Sequence, residues 1–406
     1  MKLPGMRIKR LLLPPAVIKL FIFVGLVWAS MVGPFSAILI LKNIGATSLQ
    51  IGAFTAISAV VGMLAQPMWG MVSDRLGSPR RVLCLCLAVS AIFFGSVLLT
   101  DRFFIAVCLL VAENFFLCCI VTLLDSHTIS EVNAAPGLQY GYIRLAGSIF
   151  YGAVSFIYSW IITSFGVRAL IPVSICITFI AASYGLFFAK GKWEAGADHM
   201  SVAIRKAQSH VTQDAAALLN NKQFMLFIAF VGIMALGIQP IYTYMIDMVT
   251  AVGGNAGDVP KIQAMKCVFE IPMLIFTGVI AHRRLDVRKL MLAGVGFYLV
   301  QMFGLIFADT SVMVIFFYIL GTPGFILCLS GRLKYLDKIT SESVRSTTIT
   351  VIGACEIGLG AIAGNLAGGF ILEAYGTRAV AVLGAVCLFA AMGLLIAIMK
   401  TYRFDY

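Results

Sequence analysis

The chain has 406 residues, of which 61% are hydrophobic and 12% charged, and its mean hydropathy is +0.99. That composition excludes an ordinary soluble globular domain. The formal charge is +12, but the basic residues do not gather into a patch interleaved with aromatics, so no nucleic-acid partner is expected.

A membrane-spanning helix needs about 20 apolar residues, and the chain offers twelve such segments: 17–41, 49–72, 82–100, 103–129, 144–163, 170–189, 224–248, 261–281, 290–308, 311–333, 346–372 and 379–399. The expected fold class is an all-α integral membrane protein with twelve transmembrane helices in two six-helix pseudo-repeats. Residues 1–189 form the first bundle, 190–222 a polar cytoplasmic linker and 223–406 the second bundle. With the N-terminus inside, only Lys42, Arg102, Arg168, Lys261, Lys266 and Arg378 fall outside or within helices; every other Lys and Arg lies on a cytoplasmic segment. This positive-inside bias places both termini in the cytoplasm. The basic leader Lys2, Arg7, Lys9 and Arg10 precedes an apolar run too long for a signal peptide's core, so the first span is read as retained. The linker (Glu194, Asp198, Arg205, Lys206, Asp214) has mixed charge and reads as a strap along the membrane surface.

Taken in chain order, the first span carries Trp28 and Phe35, stacking surfaces for a sugar or base if they are not core. The second ends in Gly70-Met-Val-Ser-Asp74-Arg75-Leu-Gly77-Ser-Pro-Arg80-Arg81, read as a short bend between helices. The fourth carries Glu113 and Asp125, the fifth Arg144 and Tyr151, and the seventh Gln239, Tyr242, Tyr244 and Asp247 around Pro240. The eighth carries Lys266 and Glu270, and the eleventh Glu356 followed by the ladder Gly360, Gly364, Gly368, which suits close helix packing. A charge near the bilayer centre persists only facing a cavity or a partner. The third, sixth, ninth and twelfth spans carry none.

Two echoes mark a duplication. The second-span bend returns, degraded, as Gly278-Val-Ile-Ala-His282-Arg283-Arg284-Leu285-Asp286-Val-Arg288-Lys289, and Phe165-Gly166-Val167-Arg168-Ala169 returns as Tyr375-Gly376-Thr377-Arg378-Ala379. Duplicated membrane halves around a central site are the usual build of a secondary transporter.

Gly70 to Arg81 resembles the signature loop of the major facilitator superfamily, and the twelve-span pattern extends that resemblance over essentially the whole chain. The resemblance implies a conformational latch. In it Asp74 faces the positive end of the eleventh helix near Arg345 and Ser346, while Arg75, Arg80 and Arg81 hold the inner surface, with Gly70 and Gly77 as the turn residues. Tyr140-Gly-Tyr-Ile-Arg144-Leu-Ala-Gly147-Ser148, with Leu124-Asp125, is similar to the branch of proton symporters for oligosaccharides, nucleosides and phenylpropionate. In the lactose permease the matching acid of the fourth helix pairs with the arginine of the fifth, which with a nearby aromatic binds substrate. Here those positions read Asp125, Arg144 and Tyr151, with Glu270 at the eighth-helix acid, and the resemblance implies a bond between Asp125 and Arg144. Its proton-coupling His and Glu of the tenth helix fall on Gly321 and Gly324, so coupling must rest on other carboxyls.

Glu113, Glu270 and Glu356 each lie roughly 13 to 16 Å inside their helix starts, near the midplane of a core about 30 Å thick. Lys266 and Glu270 are four apart and share a face, so they can pair. Such a pair either fixes packing or serves the solute. Glu113 and Glu356 have no basic neighbour on their own helices, and a lone buried carboxyl tends to bind a proton. They therefore rank above Glu270 as proton carriers, unless another helix supplies a cation.

The expected function is uptake of a small polar organic solute, sugar- or nucleoside-like, by alternating access with protons, in a plasma or bacterial inner membrane, by a monomer. Trp28, Asp125, Arg144, Tyr151, Gln239, Tyr244 and Glu270 would bind the solute. An exporter is the alternative, although the stretch Gly147 to Gly152 lacks the Gly-Pro pair of proton-driven antiporters. A receptor that kept the fold is the rival from another class. His127, His199, His210 and His282 form no ligand cluster and the ten cysteines show no metal-ligand spacing, so neither an enzyme site, a metal nor a cofactor is expected.

Overall fold

The structure is a computed structural model that describes residues 15–133, 140–187, 221–281, 286–339 and 345–401. Most of the linker and His282 to Leu285 of the second echo lie outside the described residues.

Twelve helices follow the twelve apolar segments. They are α1 (Pro15–Asn43, broken at Met31 and Ser36), α2 (Ser48–Leu76), α3 (Pro79–Leu99), α4 (Phe103–Asn133), α5 (Tyr140–Phe165) and α6 (Leu170–Phe187). The second set is α7 (Lys222–Thr243, continued by Met245–Thr250), α8 (Asp258–Ala281), α9 (Val287–Ile306), α10 (Ser311–Ile339), α11 (Arg345–Tyr375) and α12 (Thr377–Thr401). Among the described residues eleven are long and apolar enough to cross a membrane. The eleven do not include α8, some of whose side chains lie outside the described residues. The assembly is an all-α, twelve-helix membrane bundle.

The helix limits correct one expectation. Gly70 to Arg81 is not a bend throughout: α2 runs on to Leu76 and Pro79 already opens α3, so only Gly77 and Ser78 turn the chain. Gly77 takes the left-handed conformation at φ 60°, where a side chain is strained, and its N–H donates to the Asp74 carbonyl. Pro at the first helical position needs no hydrogen-bond partner for a missing N–H. At the other end of α2, the Thr47 hydroxyl accepts from the Gln50 N–H and the Gln50 side chain reaches back, a complete capping box.

Within the first six helices, α1 packs on α5 and α6, and α3 on α4 and α6; within the last six, α7 packs on α11 and α12, and α9 on α10 and α12. The two sets meet along α5 with α8 and along α2 with α11. The Gly360, Gly364, Gly368 ladder is what α7 approaches: a Cβ on Gly364 would stand 2.9 Å from the Leu236 carbonyl oxygen, and one on Gly368 2.6 Å from Pro240. Glu356 to Gly364 winds as a π-helix, a form found mostly at functional positions.

The two ends of the bundle differ. At the distal end, opposite the start of α1 and the finish of α12, polar links cross between the halves. Lys42 pairs with Asp247 at 2.5 Å, the Leu49 N–H donates to Glu373 at 3.1 Å, and the buried Tyr244 hydroxyl donates to the carbonyls of Ser48 and Asn365 at 3.1 and 2.6 Å. Gly52 admits the α11 backbone, since a Cβ there would lie 2.7 Å from the Asn365 oxygen. At the terminal end Met71, Asp74, Arg75 and Leu76 of α2 are exposed, and a Cβ on Gly70 or on Gly353 of α11 would meet nothing within 4 Å. The bundle is closed distally and parted at the terminal end.

Candidate functional site

Where α1 and α5 of the first half face α7, α8, α9 and α10 of the second, a cavity of about 340 Å³ is lined by Trp28, Phe35, Arg144, Tyr151, Tyr242, Lys266, Glu270, Tyr298 and Thr322. This is the size and lining of a small-molecule site: mostly aromatic, with a few placed polar groups.

On the first-half wall, Arg144 lies one turn into α5 and stacks over Trp28, its guanidinium carbon 3.9 Å from the indole centroid. Gly147 makes that stack possible, because a Cβ there would stand 2.7 Å from both Arg144 Nη1 and Trp28 Cδ1. Tyr151 meets Trp28 edge-on at 6.4 Å and Phe35 at 6.3 Å. The Trp28 indole N–H is buried with no hydrogen-bond partner among the described residues. Trp28 is thus a platform for Arg144.

The expected bond between Asp125 and Arg144 is not present. The Tyr140 hydroxyl donates to Asp125 at 2.7 Å and stands beside Arg144, so the tyrosine intervenes. The reason is helical geometry: α5 begins at Tyr140, which places its first turn, not Arg144, against α4. Asp125 does not line the central cavity.

On the second-half wall, Lys266 and Glu270 both line the cavity, yet no ion pair joins them. The Lys266 ammonium sits over the Tyr242 ring, 4.1 Å from its centroid. Glu270 lies within electrostatic reach of both Arg144 and Lys266. Thr322, also on this wall, buries its hydroxyl without a partner among the described residues.

A second cavity of about 350 Å³ opens within the last six helices and shares Tyr242, Tyr298 and Phe325 with the first. Gln239 belongs here, with Arg332 and Glu356, which form an ion pair between α10 and α11. Glu356 therefore has a basic partner, contrary to the reading of its own helix, because the cation comes from a neighbouring one. Tyr244 is corrected as well. The helix breaks after Thr243, which turns Tyr244 into the distal closure, fully buried, while Tyr242 faces both cavities. Glu113 is 2% exposed, packed inside the first half; it lines neither cavity and its Oε1 has no hydrogen-bond partner among the described residues.

The glycines that replace the lactose permease's coupling pair serve packing. A side chain at Gly321 would collide with the Gln301 amide, and a Cβ at Gly324 would stand 3.0 Å from the Gly294 oxygen, so α9 and α10 meet too closely to admit one.

The latch residues divide. Asp74, Arg75 and Arg81 are exposed at the parted end. Arg80 is 5% exposed and does not face the other half: it donates to the Gly185 and Leu186 carbonyls at 2.6 and 3.1 Å, anchoring α3 to the negative C-terminal end of α6. The side chains of Arg345 and Ser346 lie outside the described residues. Sequence reasoning missed Arg332, Lys266's aromatic seat and Thr322. The signal for Arg332 was present, a cation on a helix facing an acid on the next, but it was counted among the charges that set topology.

A family model described as the MFS_1 like family matches residues 16–382. The chain is 24% identical over 386 residues to the uncharacterized transporter YwbF of Bacillus subtilis (strain 168), across 95% of this chain and 92% of that protein. It is 23% identical over 372 residues to a maltose permease of Geobacillus stearothermophilus, across 91% of each. Its fold is similar to the crystal structure of the nucleoside transporter NupG, with TM-score 0.77, 15% identity and coverage of 96% and 100% of the two chains. A D-xylose-proton symporter superposes with TM-score 0.69 at 12% identity, over 93% and 96%.

Proposed function

Because the chain belongs to the MFS_1 like family, and is therefore a multi-pass membrane transporter rather than an enzyme, we propose that it imports a small, ring-bearing polar solute together with protons. The solute would sit between the halves against Arg144, Tyr151, Lys266 and Glu270, with Trp28 backing Arg144 and Gln239 lying in the adjoining second-half cavity. Asp125 would act at one remove, through Tyr140, and Tyr244 would serve the distal closure. The observation that carries this reading is one cavity whose charged walls come from different halves, closed at one end of the bundle and parted at the other. A rocking of the halves about such a site exposes it alternately to the two sides of a membrane. With both termini placed in the cytoplasm, as the distribution of Lys and Arg supports, this conformation is inward-facing.

Of the three midplane carboxyls, Glu356 suits the proton best. It is not the lone carboxyl expected from its own helix, since Arg332 pairs with it, but it lines a cavity, and a proton would compete with Arg332 for it. Glu113 has no cavity beside it and Glu270 faces the solute. Maltose permease, NupG and the D-xylose-proton symporter, named above for their own solutes, make a sugar or nucleoside the reference class to test first.

The experiment is transport by the purified chain in proteoliposomes, under an imposed proton gradient and in equilibrium exchange without one. Glu356→Gln should lose gradient-driven accumulation and keep exchange. Accumulation retained by Glu356→Gln would remove it as the proton site, and failure of the unaltered chain to move any solute it binds would favour the receptor reading.

A further inference from the structure

Several cations of the described molecule have carboxylate partners: Lys42 has Asp247, Arg332 has Glu356, and the exposed Arg168 and Arg378 hold Asp101 and Asp309. The two cations of the central cavity differ from these. Arg144 rests on Trp28 and Lys266 on Tyr242, and neither makes an ion pair with a carboxylate among the described residues. Among the described residues Glu270 is the one acid lining that cavity, and it lies within reach of both. With all three groups ionised, the cavity carries one uncompensated positive charge.

When the halves close over the cavity and expel water, an unbalanced charge deep in a membrane is costly, whereas a solute of charge −1 makes the occluded site neutral. A neutral solute leaves the charge uncompensated, and a proton on Glu270 would add a second. We propose that the transported solute is a small ring-bearing organic monoanion, its acidic group held by Arg144 and Lys266 and its ring seated among Tyr151, Tyr298 and Phe35. The inference rests on the transporter reading above and narrows its solute class, away from the neutral sugars and nucleosides.

The test uses the full chain and matched probes that differ in charge and little else: glucuronate with glucose, and benzoate with benzamide. Binding is measured by thermal stability and calorimetry, and uptake in proteoliposomes. The charged member of at least one pair should bind in preference to its neutral partner, and Lys266→Gln should weaken that anion by about tenfold, as expected for a lost charge-assisted contact. Lys266→Arg should retain it, which separates charge from folding. A neutral member bound and carried as well as its anion overturns the proposal and leaves the transporter reading standing. So does binding of no probe at all, since two unpaired cations demand at least a weak attraction for a ring anion. An anion that binds in this Lys266-dependent way but is never taken up upholds the inference and overturns the transporter reading instead.

Discussion

The two halves agree at the distal surface and disagree inside the membrane. In each, an Asp from the loop before the fourth helix pairs with an Arg at or just before the start of the sixth: Asp101 with Arg168, and Asp309 with Arg378. In each, a glycine just before that Arg takes positive φ, 85° at Gly166 and 80° at Gly376. The buried charges show no such correspondence. The first half keeps Glu113 without a cation and gives Arg144 to the cavity, whereas the second pairs Glu356 with Arg332 and gives the cavity both Lys266 and Glu270. Loops that only close a turn have retained the duplicated pattern. Residues that meet a solute or a proton have departed from it, and this is why one half is proposed to bind chiefly through Arg144 while the other carries the coupling carboxyl.

The sharpest way to break that comparison is at the second-half pair. Removing one partner of a fully buried ion pair typically costs about 3–5 kcal/mol, and this half-buried pair beside a cavity should cost part of that. Arg332→Gln should therefore lower thermal stability, and adding Glu356→Gln should restore most of it. In the first half, Glu113→Gln should leave both stability and transport close to those of the unaltered chain, since no cation depends on Glu113. An Arg332→Gln variant as stable as the parent would show that the pair does not hold Glu356. Loss of accumulation in Glu113→Gln would return the proton to the first half.

The span pattern was legible because a helix that crosses a bilayer must be apolar for about 20 residues, whatever it packs against. Partnerships between helices were not. Spacing along one helix placed Lys266 and Glu270 on a shared face, but it could not reveal that Tyr242 offers Lys266 a ring. It left Glu356 alone, because Arg332 comes from α10. It set Tyr242 and Tyr244 together beside Pro240, while the break after Thr243 sends one to the cavities and the other to the distal closure. The family motif located Arg144 in the cavity but misassigned its partner, since Tyr140 stands between it and Asp125.

A second test sets the two ends against each other. The bond between Lys42 and Asp247 joins the halves where they are closed. A charge-assisted hydrogen bond contributes about 1.5–3 kcal/mol, so Asp247→Asn should shift the population roughly ten- to a hundredfold toward a distally open form. Labelling of a cysteine placed at Phe35, from the distal side, should accelerate accordingly. The proposed latch acts oppositely: Asp74→Asn should slow the same labelling, by weakening the state in which the terminal end is closed. Faster labelling in both variants, or no change in either, would mean that the two ends do not oppose one another.

The smallest effect belongs to the shared feature itself. Asp101 and Arg168 are 81% and 40% exposed as side chains, and Asp309 and Arg378 are 73% and 64%. Exposed pairs of this kind contribute about 0–1 kcal/mol and less in salt. Asp101→Asn and Asp309→Asn should each change stability by no more than that, by similar amounts, and the difference should vanish in high salt; thermal unfolding at low and high ionic strength reads all three. A larger, salt-resistant loss in one half alone would mean that its pair has acquired a structural role since the duplication. The loops would then have diverged as the membrane interior did, and the contrast between a retained surface and a specialised core would fail.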